Sequence, residues 1–390
     1  MSATLSTTPT LPTELIDEIL RSNVLSNQDL ARCCLTSRQF LPAARLSLYD
    51  HVQIETGFRF CDPEDAEKLT EYVRFIGASG RLFETLEASP LLGQYTASIS
   101  FSFGEGGMLP DWIDFLDPET DTVEPRLQSI QSIFDSVLRL TPNAHQIAFN
   151  ATWLCNMHAG YDLHGVDKVE VYEVSGYDVP DLRIPSQVRA LKLRIRSDSR
   201  NSVVWPYGAS LTALDIDIKV DGNGTDGRVR VFVPNLRILR CPPRFIIDNP
   251  SLPDVEHLLL HITDRDDADY LQHASDLYRL SHLRTVRFLS LELSQLSHYI
   301  VDAIELTLAS LRPDQRPTIH FPRLVPFDLL SKMLELGTLP AHRIQLPSIV
   351  SDTDPSDASQ LQQLCAAQGV ELEWVPSGPI DIFKIKLEEP

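Results

Sequence analysis

One apolar pattern returns along most of this chain, and nothing else in the sequence restricts the fold as much. An apolar residue is followed by another three positions later and by a third two positions after that. Val166-x-x-Val169-x-Val171, Val188-x-x-Leu191-x-Leu193 and Leu211-x-x-Leu214-x-Ile216 show it. Leu236-x-x-Leu239-x-Cys241, Val255-x-x-Leu258-x-Leu260 and Leu283-x-x-Val286-x-Phe288 continue it. Weaker copies centre on Ile99/Phe101, Ile147/Phe149, Ile319/Phe321, Ile344/Leu346 and Leu372/Trp374. The alternation inside each copy predicts a short strand. A lone strand of this kind cannot hide its apolar side, but copies stacked about 20 to 33 residues apart bury a continuous one.

The returns between these strands differ along the chain. Helical spacing predicts helices over 127–140, 270–280, 301–311, 328–336 and 358–368. Between Val174 and Pro253 the returns are too short and too rich in Pro, Gly and Asp for full helices. Ahead of the repeats, His51 to Glu55 reads as a strand and Glu64 to Leu92 as helix, with Leu69, Val73, Ile76, Leu82 and Leu86 at helical intervals. Residues 104–125 read as a loop, and Val375 to Pro390 as an end strand and a tail.

The recurrence resembles a divergent leucine-rich-repeat solenoid, which implies an α/β fold with parallel strands on one side and helical or loop returns on the other. The Asn common near the end of that family's motif is mostly missing here, so no Asn ladder is expected. The implied solenoid runs over 53–376, with a tail over 377–390. Side chains alternate along a strand, so residues flanking the third apolar position face away from the core. That register assigns Glu170, Tyr172, Lys192, Arg194, Asp215, Asp217, Arg240, His261 and Arg287 to one concave surface. Tyr and Arg often carry binding energy, so a protein substrate is expected there. Lys192 and Arg194 lie between acidic Glu170 and the pair Asp215 and Asp217, a charge stripe that favours register and partner choice. Reversing Lys192 and Arg194 is expected to release the substrate at unchanged stability. The same residues also fit plain solvated strand positions, which Asp215 and Asp217 would occupy in either case.

Residues 11–52 form a different kind of segment, read as three short helices. Pro12 suits a first helical turn. Leu11, Leu15, Ile16, Ile19 and Leu20 follow at helical spacing. Ser26 and Asp29 make a capping-box pattern that starts a second helix near Asn27, carrying Leu30, Cys33 and Cys34. Pro42 restarts a third helix, with Phe40, Ala43, Ala44 and Leu48. So short a segment holds more apolar residues than it can hide, and the surplus needs another surface.

Leu11-Pro12, Glu14-Leu15, Ile19-Leu20, Asp29-Leu30, Cys33-Cys34-Leu35, Ser37-Arg38, Phe40 and Leu48-Tyr49 together resemble an F-box, most of all those of fungal F-box proteins. Many members carry a Trp late in the segment, where Ser37-Arg38-Gln39-Phe40 stands here. The resemblance implies docking on a Skp-type adaptor of a cullin–RING ubiquitin ligase. Carried over residue by residue, it implies adaptor contacts at Leu11, Pro12, Leu15, Ile16, Ile19, Leu20, Leu30, Cys34 and Phe40. The chain would then be the substrate-recognition subunit and no enzyme itself. Two alternatives stay open. One is a solenoid scaffold with an N-terminal helical cap, and the other is a hydrolase or ligand-binding protein of unrecognised type.

Composition narrows the partners. The 390 residues are 43% hydrophobic and 23% charged, ordinary for a globular chain, but the net charge is −20. Clustered Lys and Arg are what nucleic-acid backbones and anionic membrane surfaces require, so neither is an expected partner. The six cysteines are scattered with no CxxC pair, which favours reduced thiols and a cytoplasmic or nuclear setting. Residues 1–10 are Ser/Thr-rich and expected to be disordered, with no secretory signal, and no apolar run is long enough to span a membrane. The Asn-x-Thr sites at Asn150 and Asn223 are expected to stay unglycosylated.

No catalytic, metal or cofactor site is expected. Gly222-Asn-Gly224-Thr-Asp-Gly227 matches GxGxxG, but Arg228 to Val233 reads as a strand where a dinucleotide site needs a helix. From Asp221 an EF-hand would need Gly at Asp226 and Glu at Phe232. Cys155, His158 and His164 lack a fourth ligand for zinc. Acidic runs at 264–269 and 352–357 read as solvated loops.

Overall fold

The computed structural model describes residues 12–21, 25–58, 72–75, 78–103, 128–150, 163, 165–175, 185–197, 203–204, 208–220, 229–249, 251–262, 285–311, 316–353 and 355–385. The chain divides into two compact units, one up to Val166 and one from Asp167 onward. The fold is α/β in both.

The first unit opens with three helices, α1 (Thr13–Arg21), α2 (Asn27–Thr36) and α3 (Leu41–Tyr49). Ser26 caps α2 as the sequence predicts, its Oγ accepting from the Asp29 backbone N–H at 3.2 Å. Pro42 lies in the first turn of α3. Ile16, Leu20, Leu30, Ala43 and Ala44 form a small buried cluster among the helices, flanked by Leu25, Cys33, Cys34, Phe40 and Leu48. Then come β1 (His51–Phe58), β2 (Tyr72–Phe75), helix α4 (Ser79–Ala88), β3 (Ser98–Phe103), β4 (Gln128–Ser129), helix α5 (Ile130–Leu140) and β5 (Gln146–Asn150).

Strands β1, β3 and β5 are parallel, with Val52, Ile99 and Ile147 in one row and Ile54, Phe101 and Phe149 in the next. These side chains are buried, and Phe101 stacks on Phe134 of α5 with ring centroids 4.9 Å apart. Strand β2 runs antiparallel to β1, where the sequence reading expects helix. Tyr72, Val73 and Phe75 are β-branched or aromatic, and strand propensity over these four residues outweighs the sparser helical spacing around them. The single helical turn Pro90–Gly93 abuts the end of α5, where a Cβ on Gly93 would sit 1.8 Å from the Leu140 carbonyl oxygen. Only glycine permits that approach.

In the second unit the strands are β6 (Lys168–Ser175), β7 (Ala190–Ser197), β9 (Ala213–Val220), β11 (Ile238–Cys241), β12 (His257–Ile262), β13 (Phe288–Leu293), β14 (Thr318–His320), β15 (Arg343–Pro347) and β16 (Glu371–Val375). All are parallel and each lies beside its neighbour in the chain. A two-stranded ribbon, β8 (Val203–Val204) with β10 (Val229–Arg230), stands apart. Val169, Leu191, Leu214, Leu239, Leu258, Leu289, Ile319 and Ile344 form one in-register row, and Val171, Leu193, Ile216, Cys241, Leu260, Leu291 and Leu346 follow it two residues on. Both sets are buried. The returns supply the rest of the core: α6 (Pro243–Asp248), α7 (His298–Ser310), α8 (Phe327–Glu335), α9 (Ser348–Thr353) and α10 (Pro355–Gln368). Helix α7 buries Ile300, Ile304 and Leu308 at i, i+4 spacing. Helix α10 ends at Gly369, whose φ of +65° closes the helix as Val370 N–H reaches back to the Cys365 carbonyl.

Of residues 352–357, read as a loop, 352–353 belong instead to the end of α9 and 355–357 to the start of α10. The helix expected over 270–280, the loops over 104–125 and 222–227, the acidic run 264–269, the residues Leu11, Cys155, His158 and His164, and the N-terminal ten residues lie outside the described residues.

Candidate functional site

The face of the second unit's sheet opposite the leucine rows carries a charge network. Asp215 projects from the middle of β9 and is only 2% exposed. From one side Arg194 of β7 grips it, Nη1 to Oδ1 at 3.0 Å and Nη2 to Oδ2 at 3.2 Å. From the other, Arg240 of β11 donates Nη1 to both oxygens at 3.2 and 3.1 Å. Arg240 then reaches across β12 to Glu292 of β13, its Nε 3.2 Å and its Nη2 2.5 Å from Oε2. Burial opposes the charge on both arginines, but bonds and charges from Asp215, and from Glu292 for Arg240, outweigh it. Both guanidiniums are held above their usual range. His261 lies beside this network in register with Glu292, and burial keeps its pKa low despite the acidic neighbours. Farther along, Ser290 Oγ and His320 Nδ1 are 3.0 Å apart, and burial pushes His320 down to about 4.

The chain beyond β16 turns back over this face. Gly378 N–H donates to the Pro322 carbonyl at 3.0 Å. Asp381 then pairs with Lys192 of β7, Oδ1 to Nζ at 2.8 Å, and caps the 3-10 turn Ile382–Lys384 by accepting from Phe383 N–H. Ile382 and Phe383 are buried in a seat made by Ala190, Ala213, Ile238 and Leu259, flanked by Ile380 and Ile385. Lys192 Nζ stands 4.1 Å from the centre of the Phe383 ring, a cation–π contact. Burial works against the Asp381 carboxylate, but the bonds from Lys192 and the Phe383 backbone, with the charges of Lys192 and Lys384, hold its pKa below the usual range.

Of the residues assigned to this surface, Glu170, Lys192, Arg194, Asp215, Asp217, Arg240 and His261 share it by strand parity and register, whereas Tyr172 falls where the register of β6 shifts between Val171 and Val174. Glu170, Lys192 and Asp215 stand side by side in register, and Arg194 opposes Asp217. Arg287 is the correction. It precedes β13 and is exposed, because this copy is Val286-x-x-Leu289-x-Leu291, three residues later than the sequence reading placed it. The shift puts Ser290 and Glu292 on the face, and both were missed. Asp215 differs as well, buried between two arginines rather than solvated.

A second candidate surface belongs to the first unit. On α1, Ile16 and Leu20 turn inward, whereas Leu15 and Ile19 are 45% and 51% exposed. Leu30 is buried, Cys34 and Phe40 are half-buried, and Pro12 is exposed with its carbonyl accepting from Ile16 N–H. Burial raises the Cys34 thiol and keeps it protonated, against the pull of Arg45. Leu35 at the end of α2 is 89% exposed.

The second unit's strand order runs without reversal, so its described strands hold no switch point of the kind where ligands sit in open α/β sheets. Ser290 and His320 are only 2% and 3% exposed, out of reach for a nucleophile and its base. A cleft beside α8 and α10 is lined by Phe327, Asp328, Ser331, Lys332, Glu335, Asp357 and Gln360. Among the described residues no group of three His, Cys, Asp or Glu is placed to hold a metal, and no helix is long and apolar enough to cross a membrane. A scan against models of known protein families finds no match, and a search of the curated proteins finds none either.

Proposed function

We propose that this chain is the substrate-recognition subunit of a cullin–RING ubiquitin ligase, working in the cytoplasm or nucleus. Helices α1 to α3 act as an F-box and hold a Skp-type adaptor. The second unit acts as a leucine-rich-repeat-like solenoid, and its charged face holds a protein substrate. The chain performs no chemistry and needs no cofactor; it raises the substrate's local concentration at the ligase. The observation that carries the reading is the second apolar row on α1. Leu15 and Ile19 stay in solvent although Ile16 and Leu20 already supply the inward face. Apolar side chains paired at i, i+4 on the solvent side fit an interface better than a cap.

The rival is a solenoid scaffold whose helices only cap the structure. It has one observation in its favour, the contacts of α3 with β1 and with the turn Pro90–Gly93. Leu15→Asp with Ile19→Asp separates the two. A charge at the centre of an apolar interface is costly to desolvate. Co-purification with a Skp-type adaptor should be abolished while the melting temperature holds. If the wild-type chain retains no adaptor at micromolar concentration, the ligase reading fails and the scaffold stands.

A further inference from the structure

The segment seated on the charged face belongs to the chain itself, and its chemistry describes a ligand. It offers an acidic residue followed at once by two bulky apolar ones, Asp381, Ile382 and Phe383. Each has a matching receptor. Lys192 meets the carboxylate and lies over the aromatic ring. Ala190 and Ala213, the small residues at their positions on β7 and β9, leave the depression that Ile382 and Phe383 fill together with Ile238 and Leu259. Charge and apolar seat therefore adjoin on one strand, two residues apart, at Ala190 and Lys192.

Side chains rather than strand pairing hold this segment. Its residues join no strand of the sheet. Two buried side chains, the Lys192–Asp381 pair, the cation–π contact and the Gly378 hydrogen bond offset the ordering of the stretch from Pro376 to Ile385. A competitor of the same chemistry can take over these contacts without breaking any strand pairing of the sheet.

We infer that the seat formed by Ala190, Lys192, Ala213, Ile238 and Leu259 is a peptide-binding site, taking a protein segment that presents an acidic residue followed directly by two bulky apolar residues, and that residues 378–385 occupy it as an internal competitor. The inference rests on the reading of this face as protein-binding and specifies what it binds. The tethered copy competes at high effective concentration, so a partner must either carry a better match or displace it from several contacts at once.

The test uses the full chain and a fluorescein-labelled peptide of residues 377–386, followed by fluorescence anisotropy. Asp381→Ala with Phe383→Ala weakens the internal copy, so this variant should bind the peptide at least about tenfold more tightly than wild type. Lys192→Glu added to that variant should remove the gain, and a peptide with Ala at both positions should not bind. Should the double variant unfold, Asp381→Asn leaves Ile382 and Phe383 in place and carries the same test, with a gain of about threefold. Equal binding by wild type and the folded variants, or no binding by any, overturns the inference and leaves the segment a structural strap. Equal binding of the Ala-substituted peptide also overturns it. Adaptor capture is absent from this measurement, so its failure and that of the ligase reading are told apart.

Discussion

Asp215 is the residue at which the charged face stops being an ordinary surface. A carboxylate 2% exposed between two guanidiniums holds both arginines in place. Removing it leaves two like charges facing each other across β9. Asp215→Ala should cost roughly 3 kcal/mol in urea unfolding, because breaking one member of a buried pair strands its partners. A loss below about 0.5 kcal/mol would reduce the network to a surface ion pair. The pairing also changes how the face can be probed. Arg194→Glu would press a second carboxylate against Asp215, and Lys192→Glu would press one against Asp381, so a Lys192 and Arg194 reversal is not expected to leave stability unchanged. His320 gives a separate handle. Its imidazole, 3% exposed, is pushed from 6.5 to about 4 by burial. The unfolded chain therefore takes up the proton first as pH falls. Stability should be full above about pH 6.5, fall toward about pH 4 and flatten below, by on the order of 3 kcal/mol for this group. Other histidines and carboxylates titrate in the same range, so the measurement is a difference. His320→Asn should show a shallower pH dependence than wild type over that window. Parallel curves would mean that His320 takes up its proton without strain.

At the scale of elements, the strands were legible where the polar partner of each apolar residue was distinct. Val169 to Val171, Leu191 to Leu193 and Leu258 to Leu260 fall on strands in the expected phase. The copy near Val286 slipped because its strand reads Phe-Leu-Ser-Leu-Glu-Leu, and Phe288 looks as apolar as the core residues beside it. Phe288 instead stands on the charged side, between the rings of His257 and His320. Helix bounds were legible from capping and spacing, as with Ser26, Pro42 and the i, i+4 leucines and isoleucines of α7. Strand β2 was not, since its pairing with β1 is a contact that local periodicity does not record. The seat for Phe383 was hidden for the same reason. Ala190 and Ala213 are unremarkable in sequence, and only their adjacency in the sheet makes a depression.

At the scale of the molecule, the large sheet of the second unit, leaving aside the β8–β10 ribbon, is a stack in which each strand pairs only with the strands next to it in order. Such an arrangement has stability that is close to a sum of nearest-neighbour terms. Leu214, Leu239 and Leu258 test this, since they stand in one buried row on β9, β11 and β12. Leu214→Ala and Leu258→Ala should each cost about 2–5 kcal/mol as cavities. Their strands are two apart, about 10 Å, so the double variant should show the sum of the two within about 0.5 kcal/mol. Leu214 and Leu239 are register partners on adjacent strands, so one cavity is expected to open into the other. Their double variant should depart from additivity by about 0.5–3 kcal/mol. Urea unfolding of wild type, the three single variants (Leu239→Ala included) and the two double variants measures both cycles. Strong coupling between Leu214 and Leu258 would mean that the stack responds as one cooperative core, and ligand pressure on the charged face at β7 would then be felt beyond the neighbouring strands. Additivity there, with coupling at Leu239, keeps the effect local, so the peptide seat at β7 to β12 can exchange its occupant without loosening the far strands β14 to β16.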